Sequence, residues 1–166
     1  SAPAQEARML QGEAAKLYSI KPSSDVDVSD PALVEGWGRV RDGSMSWLLL
    51  TYAAGSKTKV VLKGEGAGGL DEMLAQLSPE AITYGAFRVR VGAADRLVFL
   101  AHVGESVGAM LKGKAAMHRI DVESLLSGTT CSLHIDDEDE AMQADVFMQR
   151  VRQTVGSDDV AFAASS

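Results

Sequence analysis

Three histidines and one cysteine, His102, His118, His134 and Cys131, are the side chains best suited to catalysis in this sequence. His102 and His134 fall in segments predicted as strands, where a structural role is the simpler interpretation. Cys131 and His134 are three residues apart, so a strand would place them on opposite faces and prevent a nucleophile–base pair. Cys131 is most simply a small buried hydrophobe. With no convergent catalytic set and no H-E-x-x-H or Walker A pattern, we expect no enzymatic activity.

A glycine-rich segment, residues 63–69 (KGEGAGG), precedes a predicted short helix. Free backbone amides at the start of a helix attract anions, so a phosphate cradle is one interpretation. Glu65, Asp71 and Glu72 would repel a phosphate at that position. A plain connection between two elements is therefore the favoured interpretation.

Five consecutive acids occupy residues 136–140 (DDEDE). Calcium sites need several carboxylates, but the alternating ligands, central glycine and twelfth-position glutamate of an EF-hand loop are absent here. Acids in the first turn of a helix also complement the helix dipole. We favour that structural role, and the sequence predicts no metal site and no cofactor.

Basic residues are concentrated in one stretch, in a chain whose net charge is −7. The stretch contains Arg96, Lys112, Lys114 and Arg119 against one acid, Glu105. Residues 136–145 contain six acids and no base, so charge is segregated along the chain. Gly113 costs about 1 kcal/mol relative to alanine inside a helix, and it permits close approach of a partner or a kink. Lys112 and Lys114 would diverge by roughly 200° on a helix, so a solvated face and a partner-binding face both remain open.

Composition limits the class of protein. The 166 residues are 46% hydrophobic and 23% charged, which fits one folded domain with a proper core. No apolar run approaches the roughly 18 residues of a membrane span. The acidic balance argues against a broad nucleic-acid surface. A single cysteine excludes an intramolecular disulfide, so a reduced cytoplasmic setting is the default.

Hydrophobic periodicity and turn residues predict nine elements. Helices are expected over residues 31–40, 70–77, 106–126 and 136–155, and strands over 46–53, 57–63, 81–91, 96–103 and 130–135. Hairpins alternate with helical crossovers in this order. The sequence therefore predicts an α/β (α+β) fold, with a central mixed sheet of about five strands and helices on both faces.

The chain divides into three parts by composition. Residues 1–28 are predicted to be a mobile N-terminal extension, because a short Ala/Glu-rich stretch is followed by a polar linker with Pro22. Residues 29–156 are predicted to form the domain. Residues 157–166 are small and polar, which is typical of a flexible C-terminal tail.

A family resemblance rests on a combination of short motifs in a fixed order. Residues 103–107 (VGESV) lead into residues 111–114 (LKGK) and a long helix that ends near Leu126. An RDG turn at residues 41–43 precedes the first strand, and IDD at 135–137 leads into the last helix. Over residues 30–155 this order resembles the actin-depolymerising-factor homology (ADF-homology) domain family, with coactosin as the most similar branch.

The resemblance implies a non-catalytic actin-binding protein with the ADF-homology fold. Lys112 and Lys114 match the basic pair of the family's long helix, and Arg96 looks equivalent to a lysine that coactosins use on filaments. Met110 and Leu111 would flank the contact as apolar anchors. The actin-binding residues implied are Arg96, Met110, Leu111, Lys112, Lys114 and Arg119. Actin is acidic, so a locally basic face makes physical sense on a mostly acidic protein.

Two departures from the family pattern keep an alternative open. The predicted hairpin turn at residues 92–95 is short and carries no base, and about 28 residues precede the first helix. The leading hypothesis is a cytoplasmic, cytoskeletal monomer that binds actin filaments in preference to actin monomers and modulates their dynamics. The alternative is an ADF-homology scaffold with weak or no filament binding, which acts through actin monomers or another protein.

Overall fold

The first helix of the domain begins where the sequence predicts and ends one residue later. The computed structural model describes residues 23–165, and α1 spans Pro31–Arg41. The Asp30 side chain accepts a hydrogen bond from the backbone N–H of Ala32, and Pro31 stands at the first helical position, where its missing N–H costs nothing. The chain leaves the helix through Gly43 at a φ of 90°, which favours glycine.

The other elements follow in the predicted order. They are β1 (Trp47–Tyr52), β2 (Val60–Gly66), α2 (Leu70–Leu74), β3 (Ile82–Val91), β4 (Ala94–Val103), α3 (Ala109–Leu125), β5 (Cys131–Ile135), α4 (Glu138–Met142), α5 (Ala144–Val155) and β6 (Val160–Phe162). The strands form one sheet in the order β2-β1-β3-β4-β5, with β6 also paired to β3. All pairs are antiparallel except β4 with β5. The prediction of a mixed sheet between helices is confirmed.

Alternation along the strands divides the core into two layers. Leu48, Leu50, Tyr84 and Phe99 are buried in one cluster, which also holds the apolar sides of α1 and α3. Alternate residues of the same strands point to the opposite face, where α2, α4 and α5 cover them around Phe147. The helices therefore lie on both faces of the sheet, and α3 shares its face with α1.

The C-terminal residues differ from the prediction. Residues 157–166 were expected to be a flexible tail, but Val160–Phe162 form β6, and Val160 is buried. β6 pairs with Val89–Val91, the part of β3 that extends beyond its pairing with β1. Those residues of β3 would otherwise have unpaired backbone groups on that side. The tail expectation is therefore wrong for residues 160–162, and the sheet has six strands in the described residues instead of about five.

The last predicted helix is divided in two. Gln143 has extended backbone angles, φ −109° and ψ 117°, so the chain leaves α4 there and starts α5. The single helix expected over residues 136–155 is therefore wrong at this point. The acidic run behaves as predicted at its start, because the Asp137 side chain caps α4 by accepting from the N–H groups of Asp139 and Glu140.

The segment that precedes α1 belongs to the fold. Residues 23–28, here called the N-terminal strap, pack Val26 into the core and bridge Asp27 to Lys59 of the neighbouring segment. The predicted extension therefore contributes its last six residues to the domain. Residues 1–22, for which mobility was predicted, lie outside the described residues. Among the helices of residues 23–165, none has the length and apolar character needed to cross a membrane.

Gly85 lies where the sheet tolerates no side chain. It pairs with Leu49, and a Cβ built on it would overlap the carbonyl oxygen of Leu48. We expect Gly85→Ala to lower the free energy of unfolding by about 3 kcal/mol, because backbone of the central strands must shift. Denaturant unfolding measures this value.

Gly113→Ala is the matched control. A Cβ at Gly113 meets nothing within 4 Å, and the residue lies inside α3. The substitution should raise the free energy of unfolding by about 0.5–1 kcal/mol through helix propensity. Equal destabilisation by both substitutions would show that the packing at Gly85 is not the cause.

Candidate functional site

Helix α3 buries one stripe and exposes the opposite one. Ala115, His118, Val122 and Leu125 are buried against the sheet. At 100° per residue these four side chains occupy one side of the helix. The opposite side of the helix faces solvent, yet it contains large apolar residues, which are usually buried.

The exposed side of α3 is apolar. Met110 is 66% exposed, and Met117 and Ile120 are each 60% exposed. Gly113 lies between them on the helix surface with open space around it. We call Met110, Gly113, Met117 and Ile120 the α3 crest. An uncovered apolar stripe of this kind is typical of an interaction surface.

Lys112 and Arg119 lie along the side of the crest that faces β5. The Lys112 ammonium is 3.5 Å from the carbonyl oxygen of Glu105. The Arg119 guanidinium donates to Nε2 of His134 at 2.6 Å. Burial, followed by the positive charges of Arg119 and Arg150, lowers the pKa of His134. His134 is therefore neutral at pH 7 and accepts from Arg119, so this side of the crest has two cations.

Lys114 lies on the other side of the crest, against the N-terminal strap. Its ammonium donates to the Asp25 carboxylate at 2.8 Å, and the other oxygen of that carboxylate is 2.6 Å from Nε2 of His118. These hydrogen bonds, from Lys114 first and His118 second, lower the pKa of Asp25 from 3.8 to about 2. Lys112 and Lys114 thus face different neighbours, as the helical spacing predicted.

A second carboxylate of α3 holds the start of the strap. The two oxygens of Asp121 accept hydrogen bonds from the backbone N–H groups of Ser23 and Ser24, each at 3.0 Å. The hydroxyl groups of both serines donate to the same carboxylate. Because Lys114, His118 and Asp121 are spaced at three and four residues, they form one ridge along which the strap lies.

The buried ring of His118 joins the strap to the sheet. Its Nδ1 is 2.8 Å from the Tyr52 hydroxyl, which is 2.8 Å from the Tyr84 hydroxyl, and Tyr84 donates to the Ala115 carbonyl at 3.1 Å. The Tyr84 hydroxyl has one proton, and it donates that proton to the Ala115 carbonyl. Tyr52 must then donate its own proton to Tyr84, so its oxygen can only accept from Nδ1–H of His118. All four bonds, including the one to Asp25, are made together only when both ring nitrogens carry protons.

Two of the predicted site residues lie away from the crest. Leu111 follows Met110 by about 100° around the helix, and it packs against the core instead of being exposed. Arg96 is the third residue of β4, seven residues or about 23 Å before Val103 at the end of that strand. By alternation with buried Val98 it lies on the sheet face opposite α3. The structure therefore groups Met110, Lys112, Lys114 and Arg119, but neither Leu111 nor Arg96, on the solvent side of α3.

Met117 and Ile120 belong to the crest and were missed from the sequence. They follow Met110 by seven and ten residues, which is the spacing of one helix face. That spacing could have identified them. The spacing was not recognised because α3 has apolar side chains on both its buried and its exposed side, so its apolar residues do not form a single stripe.

Two glycine motifs also escaped the sequence analysis. Residues 64–69 match the G-x-G-x-x-G spacing of a dinucleotide-binding turn, but Gly64 and Gly66 lie inside β2, and β2 pairs antiparallel with β1. A Cβ at Gly66 would overlap the Glu72 carboxylate. The glycines therefore accommodate Glu72, and that carboxylate occupies the position a phosphate would need.

Residues 104–108 (GESVG) match the G-x-S-x-G spacing of a nucleophile elbow. Ser106 is exposed in the turn between β4 and α3, and no residue other than glycine has a positive φ in the described chain. A nucleophile elbow requires that strained backbone and a histidine partner. Ser106 hydroxyl makes no hydrogen bond to a histidine within residues 23–165, so the turn is a connection and not a catalytic site.

The remaining histidine, His102, lies in β4, and the half-buried Cys131 begins β5. His102 is fully buried with Nε2 3.5 Å from Glu138, and burial lowers its pKa. Burial also raises the pKa of the Cys131 thiol, which packs on the α5 side of the sheet while His134 lies on the α3 side. In residues 23–165 no three side chains of the ligating types are grouped to hold a metal ion.

The family follows from a comparison of the whole domain. Residues 25–152 match the sequence model described as "Cofilin/tropomyosin-type actin-binding protein". The chain belongs to this family. The matched range begins within the N-terminal strap and includes α3 and all of its neighbours.

Individual relatives agree with the predicted branch. The chain is 28% identical to coactosin of Dictyostelium discoideum over 139 residues, which is 80% of this chain and 93% of that protein. It resembles the structure of human coactosin-like protein with a TM-score of 0.65 at 17% identity, over 80% of this chain and 100% of the other. It resembles mouse coactosin, described as an actin filament binding protein, with a TM-score of 0.62 at 16% identity over 78% and 92% of the two chains. These structural likenesses confirm the ADF-homology fold.

The hydrogen bonds to Asp25 make an acid-dependent contribution to stability. Its pKa in the folded chain, about 2, is below the ordinary 3.8, so the stabilisation is present above pH 3.8 and is lost as the pH falls through 2. We expect Asp25→Asn to lower the free energy of unfolding at pH 7, and the difference from wild type to shrink between pH 4 and pH 2. Chemical unfolding across this range, with carboxyl titration by NMR, measures both quantities.

Asp158→Asn, an exposed substitution after α5, is the control for loss of one carboxylate. It should leave stability nearly unchanged at both ends of the pH range. A titration midpoint for Asp25 at or above 3.8 would show that the carboxylate does not hold Lys114 and His118.

Proposed function

We propose that this protein binds actin filaments through the α3 crest and the lysines beside it, and modulates filament dynamics without catalysis. Membership of an actin-binding family supports the choice of partner, and the likeness to mouse coactosin, an actin filament binding protein, supports the choice of filaments over monomers. The observation that carries the proposal is the apolar crest, because Met110, Met117 and Ile120 are the only exposed large hydrophobic side chains among those described in residues 23–165. The protein would act at the cytoskeleton.

Affinity and orientation would come from different residues. Met110, Met117 and Ile120 provide apolar surface that leaves water on docking, which is the usual source of binding energy. Lys112 and Lys114 flank that surface, where they would steer an acidic partner and fix its register. Because Lys114 already bonds Asp25, Lys112 has the larger unshared charge.

The scaffold alternative is favoured by one specific observation. The β3–β4 turn consists of Gly92 and Ala93 alone, with Gly92 at a φ of 60° and the two strands in register from Val91 and Ala94. Such a tight turn projects no basic loop, and Arg96 next to it lies far from the crest. A protein that binds actin monomers, or another partner, through α3 alone would fit this geometry.

Loss of both lysines tests the charge contribution. We expect Lys112→Ala/Lys114→Ala to weaken co-sedimentation with actin filaments roughly tenfold or more at low salt. Lys112→Ala alone should account for most of that loss, because Asp25 already neutralises Lys114. Wild-type binding should also weaken as salt rises, since exposed charges are screened.

Arg41→Ala, at the exposed end of α1, is the control for removal of one cation. It should bind filaments as the wild type does. If the wild-type protein binds actin monomers but does not pellet with filaments at any salt concentration, filament binding is contradicted and the scaffold alternative is favoured.

A charge placed on the crest tests its apolar contribution. Met117→Glu should weaken filament binding by at least tenfold, because a carboxylate would be desolvated against an acidic partner. The melting temperature should stay within about 2 °C of wild type, since the side chain is mostly exposed. Co-sedimentation and thermal unfolding measure the two effects.

Gln153→Glu, exposed on α5 at the other face of the sheet, adds the same charge away from the crest. Filament binding that falls equally in both variants would indicate a net-charge effect, and would contradict a docking role for the crest.

A further inference from the structure

A groove of about 250 Å³ lies between α3 and strands β4 and β5. Its floor is apolar and consists of small or flat surfaces, namely the Tyr84 ring, Ala101, Ala115 and Ile135. The Tyr84 hydroxyl is already bonded to Tyr52 and to the Ala115 carbonyl, so it adds no unsatisfied polar group to the floor. The short alanine side chains on the helix and on the strand leave the space open.

The mouth of this groove is charged. Lys112 and Arg119 border it from α3, and His134 and Asp136 border it from β5 and the following turn. His134 is neutral, and its Nε2 accepts from Arg119, which fixes the guanidinium over the groove. Two cations and one carboxylate leave one net positive charge. The net charge of the mouth therefore matches one anionic group, and the Asp136 carboxylate would repel a second one.

We propose that this groove binds a small organic monocarboxylate, with its apolar body on the floor and its carboxylate on the Arg119 guanidinium, at the mouth that Lys112 also borders. An apolar cavity of about 150 Å³ accommodates benzene, so 250 Å³ accommodates a ring with a short chain. A guanidinium held in place by a neighbouring ring loses little freedom when it binds a carboxylate. Inorganic phosphate lacks the apolar body and carries more charge than the mouth matches.

The ligand would lie beside Lys112, which also belongs to the proposed actin-binding surface. Occupation of the groove would then weaken binding to actin, a consequence that rests on the proposed function. Binding of the carboxylate itself does not depend on actin, so the two proposals fail separately.

The test is a titration of the full chain with 3-phenylpropionate in the absence of actin, monitored by amide NMR shifts. We expect a dissociation constant on the order of 0.1–1 mM, with shifts at α3, β5 and Tyr84. The matched neutral probe, 3-phenylpropionamide, should bind at least tenfold more weakly. Equal binding of acid and amide, shifts elsewhere in the chain, or no binding at 5 mM acid would overturn the proposal.

Variants of the groove separate charge from shape. Arg119→Gln should weaken acid binding at least fivefold, and Ala116→Leu, on the exposed wall of the groove, should reduce it by filling space. Arg41→Gln is the control for one lost cation and should bind as wild type. Affinities of the three variants that agree within twofold would show that the groove is not the binding site.

Discussion

The placement of α3 on the sheet is the constraint on which the rest of the site depends. The helix buries His118, a polar ring, and such a ring is costly to bury unless its nitrogens are hydrogen-bonded. Tyr52 from the sheet satisfies one nitrogen and Asp25 from the strap satisfies the other. A rotation of α3 by one residue would break both bonds, so this pair determines which side of the helix faces solvent.

The orientation of α3 about its own axis places residues of the same type in different environments. Lys112 and Lys114 are two positions apart, yet one borders a groove on the β5 side and the other is paired with the strap. Within residues 23–165, the crest between them is apolar and exposed. A basic stretch that looks uniform in the sequence therefore contains an exposed lysine beside the groove, an ion pair with the strap and an arginine that donates to a histidine.

Prediction from the sequence succeeded where local chemistry decides the outcome. The start of α1 at Pro31, the strand predicted over residues 81–91 and the turn that begins at Gly92 depend on residues close together in the chain, and the structure has each of them to within one residue. The family assignment succeeded for a related reason, since its motifs occur in order along one domain. The tail prediction failed because it depends on a distant partner, since β6 pairs with the free end of β3. The positions of Leu111 and Arg96 away from the crest likewise depend on which side of each element the fold turns inward.

The sequence by itself determined the elements other than β6 and the break at Gln143, together with their order, the two-faced sheet and the basic stretch with its family. Only the tertiary structure decided which stripe of α3 is buried, that Lys114 is held by Asp25, and that a groove opens beside Lys112. The physical reason is that α3 has apolar residues on both sides, so periodicity does not distinguish the buried stripe from the exposed one. Contacts across more than 80 residues, from the strap to the helix, make that choice.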